Sequence, residues 1–203
     1  RVLAGRIERV TRHATDLLEG LLAFARAESV TRTNGSAAVE AELSAVLEEL
    51  DPLRRSVDAK IAIELDSHLH AACAPPVLHI LLLNLLSNAI KFMEGRPRRE
   101  VRVVARSEGP WCLVTVEDTG PGIPRESLAR VFEPFFRARE CRAGGSGIGL
   151  ATVRRVVDAL GGEIAVTSTE GAGTCFTMRI GRATEAPVSP PPSLETRDVN
   201  PEP

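Results

Sequence analysis

Residues 75–93 confine the fold more tightly than any other stretch. Pro75 and Pro76 open it, as proline favours at a first helical turn, and Val77, Leu78, Ile80, Leu81, Leu82, Leu85, Leu86, Ala89 and Ile90 carry it to about Met93. A helix this apolar has to be mostly buried in a layered domain. Yet Asn84, Asn88 and Lys91, at spacings of four and three, share one face of it. Burying two amides and an ammonium without partners would cost several kcal/mol, so something polar must meet that face. The bland alternative is a pair of interior asparagines that cap neighbouring backbone.

A second stretch narrows the choice. Val114 and Val116 alternate with Thr115 and Glu117, the period of a half-buried strand. The strand runs into Asp118-Thr-Gly-Pro-Gly-Ile-Pro124. One carboxylate therefore stands at a strand's end, beside glycine backbone with no side chain to keep a ligand away. Such a carboxylate can accept a charge-assisted hydrogen bond from an amino group on a flat heterocycle. Alone the signal is weak, because D-x-G-x-G is more often a tight turn.

The remaining segments supply the setting. Residues 1–28 read as one amphipathic helix with Leu3, Ile7, Val10, Ala14, Leu17, Leu21 and Phe24 at three-four spacing. Its apolar stripe, widened by Leu18 and Leu22, calls for other helices in a hairpin or dimeric bundle. Residues 29–38 are polar, with Asn34-Gly35 as a turn signal, and read as a linker. A helix follows over about 39–57, then a strand at 61–65 and a short extended piece within 68–73. Strands at 100–107 and 111–118 flank Gly109-Pro110 as a hairpin. A short helix is predicted over 125–131 and another from about Ile148 to Leu160, entered through Gly144-Gly-Ser-Gly-Ile-Gly149. Glycine-rich backbone at a helix N-terminus presents free N–H groups and a positive dipole end, a seat for phosphate. Strands at 163–169 and 174–180 close the domain, and residues 182–203, rich in proline, read as a disordered tail.

Bulk composition excludes several function classes. Net charge is −2 over 203 residues, which argues against a nucleic-acid partner or an anionic membrane surface. The apolar run Ile80 to Leu83 is too short to span a bilayer, so no membrane contact by this segment is expected. Cys73, Cys112, Cys141 and Cys175 lack zinc-ligand spacing and read as reduced thiols of a cytoplasmic protein. The helical pattern already under way at Arg1 suggests a piece of a longer protein.

Taken together, the segments resemble sensor histidine kinases. Asn84-Leu-Leu-Ser-Asn88-Ala-Ile-Lys-Phe92 resembles their N box, Asp118 to Pro124 their first glycine box and Phe132-Glu-Pro-Phe-Phe136 their F box. Gly145-Ser-Gly-Ile-Gly-Leu150 and Glu170-Gly-Ala-Gly-Thr-Cys-Phe176 are similar to their later glycine boxes. The resemblance covers roughly 39–181, with residues 1–28 similar to the second helix of a dimerisation and phosphotransfer domain. It implies an α/β (α+β) fold, a two-layer ATP-binding sandwich of the Bergerat type. Helices would lie on one face of a mixed sheet, preceded by one long helix.

The resemblance also implies roles. Asp118 would accept from the adenine amino group; Phe92, Ile123 and Leu150 would line the slot; Thr174 would sit near the base. Gly120 and Gly122 would let the base approach, and Gly145, Gly147 and Gly149 the phosphates. Asn88, with Asn84, would offer oxygen to Mg²⁺, and Lys91 a point charge to the phosphates. Phe132 and Phe135 would hinge a lid over 137–146, with Arg137 its candidate phosphate contact. Hydrolases of the superfamily place a glutamate four residues before the metal-binding asparagine; Asn84 stands there and cannot serve as a base. Transfer to a protein is therefore expected over ATP hydrolysis, though a non-catalytic ATP-binding module is a second possibility. His13, His68, His70 and His79 all lack the context of the family's phosphoacceptor. The implied partners are ATP, a histidine-bearing dimerisation helix absent from this chain, a response-regulator receiver domain and a second copy as homodimer.

Overall fold

The apolar helix lies where its composition demands, between a second helix and a sheet. The computed structural model describes residues 35–137 and 146–183. In chain order these form β1 (Ala37–Ala38), α1 (Val39–Val57), β2 (Lys60–Leu65), β3 (His70–Ala71), α2 (Pro75–Phe92), β4 (Glu100–Glu108) and β5 (Trp111–Asp118). Then come α3 (Arg125–Leu128), α4 (Gly149–Ala159), β6 (Glu163–Thr169) and β7 (Gly173–Gly181). Eight apolar residues of α2 are buried, from Val77 to Ile90. The seven that are Val, Leu or Ile each contribute roughly 1.5–3 kcal/mol, against an ordering cost of about 1–2 kcal/mol per residue of backbone. By length and composition alone α2 could cross a membrane. The prediction from Ile80–Leu83 missed this by counting only an unbroken run; burial in the domain core accounts for the composition.

Five strands form one mixed sheet in the order β2-β4-β5-β7-β6, with β2 and β4 parallel and every other pair antiparallel. Alternation assigns the two faces. Val101, Val103, Cys112, Val114, Val116, Met178 and Ile180 are buried beneath the helices. Arg102, Arg106 and Glu117 point away and are exposed. Helices α2 and α4 lie on the sheet and α1 packs on α2. His79 joins the two helices, with its ring nitrogens 3.0 Å from Glu49 and 3.4 Å from Glu42 of α1. The expected layering of helices on one face of a mixed sheet therefore holds.

Two boundaries move. Ala37 and Ala38, read as linker, pair with His70 and Ala71, and Ala37 is wholly buried. Two alanines carry no strand signal of their own, so only the partner strand reveals them. At the other end, Arg182 donates its N–H to Pro110 and Ala183 to His70, so the predicted tail is still paired at its first two residues. The predicted short helix over 125–131 is regular only over Arg125–Leu128. The expected helix over 1–28 lies outside the described residues.

Candidate functional site

Strand β5 ends on Asp118, which pairs in register with Thr174 near the start of β7. Both side chains lie on the buried face, 6% and 7% exposed. Burial pushes the Asp118 carboxyl up to about 6, against the opposing pull of the Gly120 and Thr174 backbone N–H groups. The Gly120 N–H donates to Asp118 Oδ1 at 2.8 Å. A Cβ on Gly120 would stand 2.6 Å from that oxygen and 3.6 Å from the Phe92 carbonyl at the end of α2. The glycine thus lets the strand end, the loop and the helix end converge.

Ser168 binds the neighbouring loops together. It accepts from the Ile123 N–H at 2.8 Å and donates to the Gly173 carbonyl at 2.7 Å. Its oxygen is also 3.1 Å from Thr174 Oγ1. The Gly171 N–H donates to the Pro121 carbonyl at 2.6 Å, and Arg96 Nη2 donates to the Gly171 carbonyl at 3.2 Å. The β6–β7 hairpin is in this way fixed against the loop after Asp118. Gly122, with φ 72°, fits only because a side chain there would collide with the Thr169 carbonyl oxygen.

The polar face of α2 meets the start of α4. A Cβ on Gly149 would lie 2.5 Å from Asn84 Oδ1 and 3.9 Å from Asn88 Nδ2. Asn84 Nδ2 donates back to the Ile80 carbonyl at 2.8 Å, which turns its oxygen toward α4. Asn84, Asn88 and Lys91 are each half-buried rather than enclosed. Among the described residues the side chains of Asn88 and Lys91 have no hydrogen-bond or ion-pair partner. The polar partner demanded by the sequence is thus supplied only in part by protein. Two half-buried amide groups, a lysine and a glycine-lined helix start suit a hydrated hard cation and phosphate oxygens.

The F-box residues separate into two kinds. Phe132 meets Phe176 of the core edge-on, with ring centroids 6.2 Å apart. Phe135 is 62% exposed and holds a left-handed φ of 64°. Its N–H donates to the Gly147 carbonyl at 3.0 Å, so the two ends of the predicted lid are joined at their bases. Phe132 is thus held through its ring and Phe135 through its backbone, while residues 138–145 of the predicted lid lie outside the described residues. Ile123 and Leu150 pack partly against the core. Arg137 is exposed, and Gly145 lies outside the described residues.

Two residues in this network escape sequence reading, Ser168 and Arg96. Ser168 had a signal: Ile164, Val166 and Ser168 share a face of β6, and a hydroxyl at that inward position asks for a buried partner. Arg96 had none, because its partner is 75 residues away along the chain.

Known proteins match this arrangement. The model of the family described as histidine kinase-, DNA gyrase B-, and HSP90-like ATPase matches residues 73–184. Sensor histidine kinase AruS of Pseudomonas aeruginosa is 38% identical over 175 residues, covering 81% of this chain and 17% of AruS. Signal transduction histidine-protein kinase AfsQ2 of Streptomyces coelicolor is 33% identical over 200 residues, 93% of this chain and 35% of AfsQ2. Full-length ShkA, solved in complex with AMPPNP, superposes with a TM-score of 0.74 at 28% identity, over 92% of this chain and 39% of ShkA. The chain thus spans well under half the length of these relatives.

Proposed function

The chain belongs to the family of histidine kinase-, DNA gyrase B- and HSP90-like ATPases, and from that premise we propose that it is the ATP-binding, phosphoryl-donating part of a two-component sensor histidine kinase. One observation carries the reading. Asp118 is buried beside Thr174, and the polar face of α2 is set against the start of α4, with Gly120 and Gly149 leaving no room for a side chain at these two places. Asp118 accepts from the amino group of the base, with Thr174 beside it, while Phe92, Ile123 and Leu150 form the walls. Gly120 and Gly122 keep the loop close to the ring.

At the other end, Asn88 and Asn84 present amide oxygens to Mg²⁺, whose charge offsets that of the phosphates and holds them in one orientation. The unpartnered Asn88 amide supports that fit. Lys91 adds a positive charge, and backbone at Gly145, Gly147 and Gly149, with Arg137, completes the phosphate seat. Asn84 cannot take a proton from water at neutral pH, and its amide is already engaged with Ile80. The γ-phosphate therefore goes to a protein histidine, on a dimerisation helix of the same parent protein, for relay to a receiver aspartate. The working unit is a cytoplasmic homodimer.

Mixing the chain with Mg-ATP and a separate histidine-bearing dimerisation helix should yield an acid-labile, alkali-stable phosphohistidine. Asn88→Ala should lower that transfer by roughly 10²–10³, the usual loss when one preorganised electrostatic group is removed. ATP turnover that needs no acceptor protein would overturn the assignment and favour a hydrolase.

A further inference from the structure

Ser168 has one hydroxyl proton and room for two donors, and every position is taken. The Gly173 carbonyl, 2.7 Å away, can only accept, so the Ser168 proton goes there. The Ile123 N–H, 2.8 Å away, can only donate, so it fills one lone pair. The third neighbour, Thr174 Oγ1 at 3.1 Å, must then donate its own proton to the remaining lone pair. A threonine hydroxyl that could point either way is thereby held in one direction. It lies on the same side of the sheet as the Asp118 carboxylate with which it is paired.

Two adjacent groups that only accept select a ligand edge that only donates. The 6-amino group of adenine has two N–H donors. A 6-oxo purine turns a carbonyl oxygen to the same place and sets lone pairs against lone pairs. Asp118 alone discriminates incompletely, because a 6-oxo purine still has an N1–H to give it. We propose that Ser168 is a positioning residue for base specificity. By taking the Thr174 proton it makes that hydroxyl an obligate acceptor, and the pocket prefers 6-amino to 6-oxo purine nucleotides. The inference rests on the reading of this region as a purine nucleotide site.

The test is equilibrium titration by calorimetry with Mg-ATP and Mg-ITP, which differ only at this edge of the base. The parent chain should favour ATP by at least about tenfold, the size expected of a mispaired hydrogen bond. In Ser168→Ala the Thr174 hydroxyl can rotate and donate to the 6-oxo group, so the ATP/ITP ratio should fall about fivefold or more. Ser168→Thr retains the hydroxyl and should retain the ratio. Ser168→Cys, near in volume but a poor acceptor, should lower it and serves if the alanine variant does not fold. In a Thr174→Val background, Ser168→Ala should leave the ratio unchanged, which a merely structural role of Ser168 would not produce. An undiminished ratio in both Ser168→Ala and Ser168→Cys would overturn the inference while the nucleotide site stands. So would an equal fall in the Thr174→Val background. A parent chain that takes neither nucleotide would remove the site reading itself, and the inference with it.

Discussion

Asp118→Asn will fold at least as stably as the parent and lose Mg-ATP affinity by about a hundredfold. The two effects have one origin. The carboxylate is only 6% exposed, and desolvation raises its pKa from 3.8 to about 6. At neutral pH the empty protein therefore carries a buried charge that the Gly120 and Thr174 N–H groups compensate incompletely. On linkage grounds that costs on the order of 3 kcal/mol, an upper bound. An amide removes the charge. It also offers the base an N–H where an acceptor is required, losing a bond of roughly 1.5–3 kcal/mol and adding donor–donor repulsion.

The sign with pH follows. Below about pH 4 both folded and unfolded carboxyls are protonated and there is no penalty. As pH rises from about 4 to about 6, the unfolded carboxyl ionises while the folded one still holds its proton, and stability falls. Above that the penalty is constant. Thermal melting across this range should show the step in the parent chain and not in Asp118→Asn. Retention of parent-like ATP affinity by a folded Asp118→Asn would refute the base assignment.

Gly173→Ala will cost about 3 kcal/mol or more, a fall in Tm on the order of 10 °C. Its φ of 129° belongs to backbone that L side chains rarely adopt. A Cβ there would also collide with the Asp118 carbonyl oxygen, so β5 and β7 would have to part at the register that sets Asp118 beside Thr174. Gly171→Ala, in the same hairpin at φ 83°, is the control. Nothing lies within 4 Å of a Cβ at that position. Its cost should be limited to conformational strain, about 1 kcal/mol. Equal losses for the two variants would mean that crowding against β5 is not what requires glycine at 173.

Much of this architecture was legible beforehand where local pattern and tertiary demand agree. The span of α1, the proline-opened α2 and the hairpin of β4 and β5 follow from apolar period and turn chemistry, which need no distant partner. The convergence of Asn84 and Asn88 on one helix face was equally readable, since spacing alone places it. Three things were not. Ala37 and Ala38 become a strand only because His70 and Ala71 offer hydrogen bonds to two residues without strand preference. Phe132 and Phe135 read alike, yet Phe132 packs on Phe176 while Phe135 is exposed.

The third is Ser168, whose partners come from two loops and the adjoining strand. By itself the order of residues determined which side chains bear chemistry and which helix or strand carries each, because periodicity of 3.6 or 2 is a local property of the chain. Only the assembled sheet decided that Asp118 is desolvated, that Gly149 is set against Asn84, and which way the Thr174 proton points. Burial and hydrogen-bond direction depend on what the rest of the fold brings alongside, and no single segment carries that information.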